Sequence, residues 1–245
     1  MLSSNPLSDS PVVEPKTQGN ARLLAPAAVL WDMDGTLMDS EHYWHAVERE
    51  LVSSGGGTWT DQDAIDLVGS PLTEAAVVLH NAGAPYPPER IVEILVERVS
   101  AMVRADVPWR EGGREILARL AASGIPCALV TMSYAPIAQA LVDSAPAGAF
   151  TQIVTGEDVT HGKPHPEPYL RAAELLGVDV TQCIAVEDSP RGIEAALASG
   201  ARTIGIRNLI PVAPAEGLSR VAELDQITES AFDVLMRGGT VDYLG

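Results

Sequence analysis

Apolar residues in this chain gather into short runs at 27–31, 126–131 and 183–186, with shorter ones inside 152–155 and 202–206. Runs of this length with little polar alternation suit strands buried on both faces, as in a parallel sheet covered by helices. Between them lie segments with helical spacing at 113–122, 135–142, 166–176 and 191–199, and Gly124, Gly177 and Gly200 stand where helices stop. The alternation predicts an α/β fold built on a doubly wound parallel sheet. One stretch, 39–107, breaks it. It holds no strand candidates, and helical spacing recurs at 40–53, 61–68, 72–81 and 87–104, with Ile91, Leu95, Val99 and Met102 forming one apolar stripe. This predicts a helical domain inserted after the first strand, with the sheet domain formed from 26–38 and 108–245. Residues 1–25, rich in proline and small polar residues without periodicity, are expected to form a flexible tail.

Composition narrows the picture. Apolar residues make up 46% of the chain and charged residues 20%, ordinary for a folded protein and unlike a disordered one. The longest apolar run, 23–31, is far shorter than the roughly 20 residues that cross a bilayer, and no basic cluster precedes it as in a secretory signal. Cys127 and Cys183 sit in apolar runs and read as reduced core thiols, which favours a cytoplasmic protein. The formal charge of −17 disfavours nucleic acid and anionic membranes as partners. It also repels phosphates unless a cation offsets the field where they bind. The only lysines are Lys16, in the expected tail, and Lys163. In a chain that otherwise uses arginine, Lys163 marks a position that calls for a compact ammonium.

The candidate chemistry falls at the predicted strand ends. Asp32 and Asp34 follow the first strand, two residues apart and so able to share a site, and Gly35 permits a sharp turn beyond them. Thr131 follows the second strand, where its hydroxyl and neighbouring amides, Met132 among them, are placed to hold a phosphate oxygen. Lys163 stands on a proline-rich loop before a helix. Glu187 and Asp188 close a later strand, with Ser189 and Pro190 at a helix start. Ligands of parallel sheets bind off the carboxyl ends of strands. Carboxylates at two such ends, a hydroxyl at a third and one lysine would form a pocket for a hard cation and a phosphate, and the oxygen ligands suit Mg²⁺.

With these residues in place the sequence resembles the haloacid dehalogenase superfamily, in the branch with a helical cap that includes β-phosphoglucomutase and sugar-phosphate phosphatases. The likeness covers 27–237 and rests on DxDGT at 32–36, Thr131, GKPxPxxY at 162–169 and EDSxxGIxAAxxxG at 187–200. It implies a Rossmann-like core in which Asp32 is the nucleophile and Asp34 the general acid and base. It also implies Mg²⁺ held by Asp32, the Asp34 carbonyl, Asp188 and Glu187, and phosphate oxygens held by Thr131, Met132 and Lys163. The cap would close on hinges near 38–39 and 106–108.

The resemblance also frames the choice between hydrolysis and transfer. The mutases of the branch place a histidine, an arginine and a lysine in the cap to retain a bisphosphate. Here Trp44 stands at the histidine position, the loop at 68–73 has no arginine, and the cap has no lysine. The expectation is therefore a phosphatase acting on a small phosphorylated metabolite, a sugar or polyol phosphate, with a β-phosphoglucomutase-like mutase as the alternative. A non-catalytic phospho-acceptor or sugar-phosphate sensor is a further alternative of another class. His45, Gly69 and Ser70 are the candidate substrate contacts in the cap. Tyr43, Trp44, Val47 and Leu51 read as core by their spacing, and Arg90, Arg98 and Arg104 as a solvated face. His161 and His165 flank Lys163 but form no metal site without a further ligand. The acidic surface and closed cap favour a monomer.

Overall fold

The computed structural model describes residues 23–245, so 1–22 of the expected tail lie outside the described residues. Residues 23–25, assigned to the same tail, touch the folded body: the Leu24 amide donates to Asp233 Oδ1 at 2.8 Å.

Six parallel strands form one sheet in the order β3-β2-β1-β4-β5-β6. They are β1 (Ala28–Trp31), β2 (Cys127–Val130), β3 (Gln152–Val154), β4 (Cys183–Glu187), β5 (Arg202–Ile206) and β6 (Leu218–Val221). Alternate residues go to opposite faces. Ala28, Leu30, Ala128, Val130 and Ala185 share a small-residue cluster with Tyr169 and Ala172 of α7 (Glu167–Leu176) and Ala195 of α8 (Pro190–Ser199). Val29, Trp31, Leu129, Ile184 and Val186 join the bulkier cluster of α5 (Gly113–Ala122) and α6 (Ala135–Ser144). Burial on both faces explains why these strands read as continuous apolar runs. Cys127 and Cys183 are free and buried, as expected.

Four helices fill the insertion: α1 (Glu41–Ser54), α2 (Asp61–Asp66), α3 (Leu72–Asn81) and α4 (Pro88–Ala105). On α4 the buried stripe is Ile91, Leu95, Val99 and Val103, while Met102, expected on it, is only partly buried. Steps of four keep the stripe on one face, and that periodicity selects Val103. Where the chain leaves and re-enters the sheet domain its two segments lie side by side, with the Asp39 amide donating to the Pro108 carbonyl at 2.8 Å.

Two elements had no counterpart in the hydrophobic pattern, β6 and α9 (Glu229–Met236). Strand β6 reads Leu-Ser-Arg-Val at the sheet edge. Its Arg220 is buried only because the guanidinium donates to Asp242 at 2.6 Å and to the Val212 carbonyl at 3.1 Å.

What places the site is the position of β1. The chain continues from β1 to β2 on one side and reaches β4 on the other, so the strand order reverses there, and ligands of such sheets bind at the reversal.

Candidate active site

Asp32 immediately follows β1, and its amide extends the ladder by donating to the Val186 carbonyl at 3.0 Å. The chain then turns so tightly that the Met33 carbonyl accepts from the amides of Thr36, Leu37 and Met38. Gly35 permits this for two reasons: its φ is +81°, and a Cβ there would come within 2.0 Å of Asp188 Oδ2. Gly192 on α8 shares only the second reason: a Cβ there would meet Glu187 Oε1 at 1.9 Å.

Lys163 is almost fully buried and all three of its protons are engaged. Nζ donates to Asp32 Oδ1 at 2.7 Å, to Glu187 Oε1 at 2.5 Å and to the Val130 carbonyl at 2.9 Å. Burial alone would lower its pKa, but the carboxylates of Asp32 and Glu187 outweigh it and hold the ammonium above its ordinary value. Glu187 is saturated in turn. Oε1 also accepts from Tyr169 Oη at 2.7 Å, and Oε2 from the amide and hydroxyl of Ser189 at 3.3 and 3.2 Å.

Asp32, Glu187 and Asp188 bring carboxylate oxygens within 4.8 Å of one another. Burial, then the Glu187 charge, raises the Asp32 carboxyl well above the usual carboxylate range. The same two causes push Asp188 up to about 8, although Asn208 Nδ2 donates to it at 2.8 Å. Three buried carboxylates facing one ammonium are undercompensated, and an all-oxygen donor set of this charge fits a hard divalent cation.

Asp34 points toward the inserted helices. Its Oδ1 accepts from Ser40 Oγ at 2.5 Å and Trp44 Nε1 at 3.1 Å, its Oδ2 from Ser133 Oγ at 2.8 Å and Thr131 Oγ1 at 3.4 Å. Sequence reasoning missed Ser40 and Ser133, and it assigned Trp44 to the core. Trp44 is buried as that spacing requires, but its indole N–H reaches the site. Thr131 Oγ1 also accepts from the Ser133 amide at 3.0 Å, and Met132 Sδ from the Lys163 amide at 3.3 Å, so the strand end after β2 and the lysine loop brace each other.

A cleft joins these groups to the helical insertion, bounded there by Glu41, Trp44, His45, Glu48, Gly69 and Ser70. It thus brings together every predicted site residue except Glu187, which lies behind Lys163. A Cβ on Gly69 would be 2.9 Å from Ser189 Oγ, so the 69–70 loop lies directly against the sheet domain. The expected solvated arginines are half-exposed to water, with Arg90 paired to Glu93 at 2.6 Å and Arg98 to Glu50 at 2.7 Å. Glu167 does bring a third potential ligand to His161 and His165. Its carboxylate is occupied, however, by the amides of Thr160 and His161 at 2.7 and 2.9 Å and by His161 Nδ1 at 2.9 Å, and so serves as a clamp on the lysine loop.

Glu41 and Glu48 were not anticipated. Burial pushes their carboxyls up to about 8 and about 7. A carboxyl whose folded pKa exceeds its unfolded value stabilises fully below the unfolded value and loses that contribution as pH rises through the folded one. Glu48→Gln is therefore expected to raise Tm in chelated buffer, with a gain that grows from pH 5.5 to pH 8 and reaches on the order of 2 kcal/mol. A gain that shrinks with rising pH would contradict the burial of an ionisable Glu48.

A parallel sheet with this order, carrying aspartates at the ends of β1 and β4, a buried lysine between them and a helical insertion after β1, defines a phosphohydrolase-type α/β enzyme. The chain belongs to the haloacid dehalogenase-like hydrolase family, whose profile matches residues 29–206. Its relatives include the fructose-1-phosphate phosphatase YqaB of Escherichia coli, 32% identical over 75% of this chain and 97% of that protein. Hexitol phosphatase A of the same organism is 30% identical over 82% of this chain and 89% of its own length. Among solved structures, CbbY from Rhodobacter sphaeroides in complex with phosphate superposes with a TM-score of 0.71 at 27% identity, covering 80% of this chain and 92% of that one. The chain is thus a hydrolase whose relatives are sugar-phosphate and hexitol phosphatases, and among the described residues no helix is long and apolar enough to cross a membrane.

Proposed function

We propose that this protein is a Mg²⁺-dependent phosphatase that releases phosphate from a sugar or polyol monophosphate through an aspartyl-phosphate on Asp32. The observation that carries this reading is the buried ammonium of Lys163, 2.7 Å from Asp32 Oδ1 at the reversal of strand order. An Asp32 oxygen attacks phosphorus in line with the ester oxygen while Lys163 offsets the repulsion between carboxylate and dianion. Asp34 gives its proton to the departing alcohol, then takes one from the water that attacks phosphorus and frees Asp32. Thr131 and the Met132 amide would hold phosphoryl oxygens. Glu187, with both oxygens occupied, acts by fixing Lys163. A hard cation held by Asp32, Asp188 and the Asp34 carbonyl would neutralise phosphate charge and keep the aspartates ionised.

Asp34 exchanges a proton within one turnover on this reading, and the donors around it fix the orientation of its carboxyl group. Trp44→Phe keeps the buried ring but removes the 3.1 Å contact. It is expected to lower kcat about tenfold, about the effect of one charge-assisted hydrogen bond, with KM little changed. An unchanged kcat would remove Trp44 from the acid–base step.

Lys163 is the single lysine or arginine lining the cleft among the described residues. With no cation placed to hold a second phosphate, hydrolysis is favoured over mutase chemistry. The test is phosphate release from a panel of hexose and hexitol phosphates. Turnover should vanish with chelator and return with Mg²⁺. Isomerisation of a hexose 1-phosphate outpacing phosphate release, with a trace of bisphosphate present, would replace this reading by the mutase one.

A further inference from the structure

The half of the cleft formed by α1 carries polar groups that chemistry at Asp32 does not use. Glu41 and Glu48 are seven residues apart with His45 between them, so the three share one helix face, and all three line the cleft. Glu41 is 8% exposed, and among the described residues no side chain or amide donates a hydrogen bond to it. Glu48 is 5% exposed, and its only described donor, Trp59 Nε1 at 3.2 Å, reaches Oε2 and leaves Oε1 open. His45 Nε2 is buried without a partner. Buried polar groups in folded proteins are paired almost without exception, so a buried, unpaired imidazole nitrogen flanked on one cavity by two carboxyl groups with free acceptor capacity calls for a ligand that pairs them. The cleft lining also has an apolar part that includes Leu67, Val68, Leu72 and Leu95. It offers a carbon skeleton contact and no competing hydrogen bonds.

We propose that Glu41, His45 and Glu48 form the subsite for the leaving alcohol, and that it selects monophosphates whose far end is an uncharged array of hydroxyl groups. This rests on the phosphatase reading and adds to it how the alcohol is recognised. Carboxyl oxygens and an imidazole nitrogen accept hydroxyl protons, whereas a second phosphate would meet two acidic residues and no cation. A site built to pair a substrate's hydroxyls also rejects analogues that lack them, because its own buried groups are then left unpaired.

The experiment compares kcat/KM for three probes: a hexitol 6-phosphate, a hexose 1,6-bisphosphate and phenyl phosphate, whose ring carries no free hydroxyl. The wild type should prefer the hexitol phosphate by about a hundredfold or more over each of the others, the discrimination that unpaired buried groups impose. In Glu48→Leu the hexitol-to-phenyl ratio should fall at least about tenfold. In Glu48→Gln, which keeps the shape and the acceptor of the Trp59 hydrogen bond, that ratio should fall less while the bisphosphate-to-hexitol ratio rises. Titration of Asp32→Asn with the same compounds, with and without Glu48→Leu, reads the subsite without turnover. If turnover is absent but binding still discriminates and depends on Glu48, the phosphatase reading fails and the subsite stands. If turnover is present and both ratios are unmoved in both variants, the subsite is overturned and the phosphatase reading stands.

Discussion

Asp32→Asn is expected to lower phosphate release by at least about 10⁴-fold while leaving the fold intact. The amide is nearly isosteric with the carboxylate but is no nucleophile toward phosphorus, so the proposed reaction loses the step that every later one depends on. The structure also predicts what happens to stability. Asp32 is buried, and its charge is opposed by burial and by Glu187 more than it is helped by Lys163, which is why its carboxyl pKa is raised. Removing that charge leaves Lys163 its bonds to Glu187 and the Val130 carbonyl, so Tm should be unchanged or higher at pH 8. Phosphate-release kinetics and a thermal melt on the same sample check both halves. A variant that keeps near-normal turnover would refute covalent catalysis at this position.

The parts legible in the sequence are those set by local rules. Strands β1, β2 and β4 were visible because burial on both faces leaves apolar runs, β3 and β5 because shorter apolar stretches continue the alternation, and Asp32, Asp34, Thr131, Lys163, Glu187 and Asp188 because their strand ends or proline loop announce them. What stayed hidden depends on distant chain. Ser40 and Ser133 matter only because two loops, 93 residues apart in sequence, converge on Asp34. Trp44 belongs to an apolar stripe, and nothing in that periodicity says where its one polar atom ends. Glu48 looks like any helical glutamate, yet it is buried alongside Trp44, Val47 and Leu51, and an acidic residue on an otherwise buried face was the available signal. Edge strand β6 conceals its burial because Arg220 is neutralised by Asp242, 22 residues later.

Lys163→Met is the variant for which catalysis and stability should fail together. Methionine fills much of the same volume but removes the ammonium that three acceptors share. Asp32 and Glu187 then face each other, buried, with no countercharge among the residues contacting them. Breaking a buried ion pair from one side costs about 3–5 kcal/mol, so a large fall in Tm is expected at pH 8. The fall should be smaller at pH 5.5, because the Asp32 carboxyl is held well above the usual carboxylate range and acid neutralises that stranded charge in the folded state. Adding Glu187→Gln to Lys163→Met removes one of those charges and keeps Tyr169 a hydrogen-bond acceptor, so much of the lost Tm should return. Activity should not return with it. On the proposed mechanism the group that draws the phosphate dianion toward Asp32 is still missing, and rates should stay at least about a hundredfold below the wild type, the scale seen when a single charge-stabilising donor is lost. Recovery of stability without recovery of rate would separate the electrostatic role of Lys163 in the reaction from its role in the fold. If the double variant regained both, the lysine would be structural, and the phosphate would have to be held by groups other than those at the ends of β1 and β4.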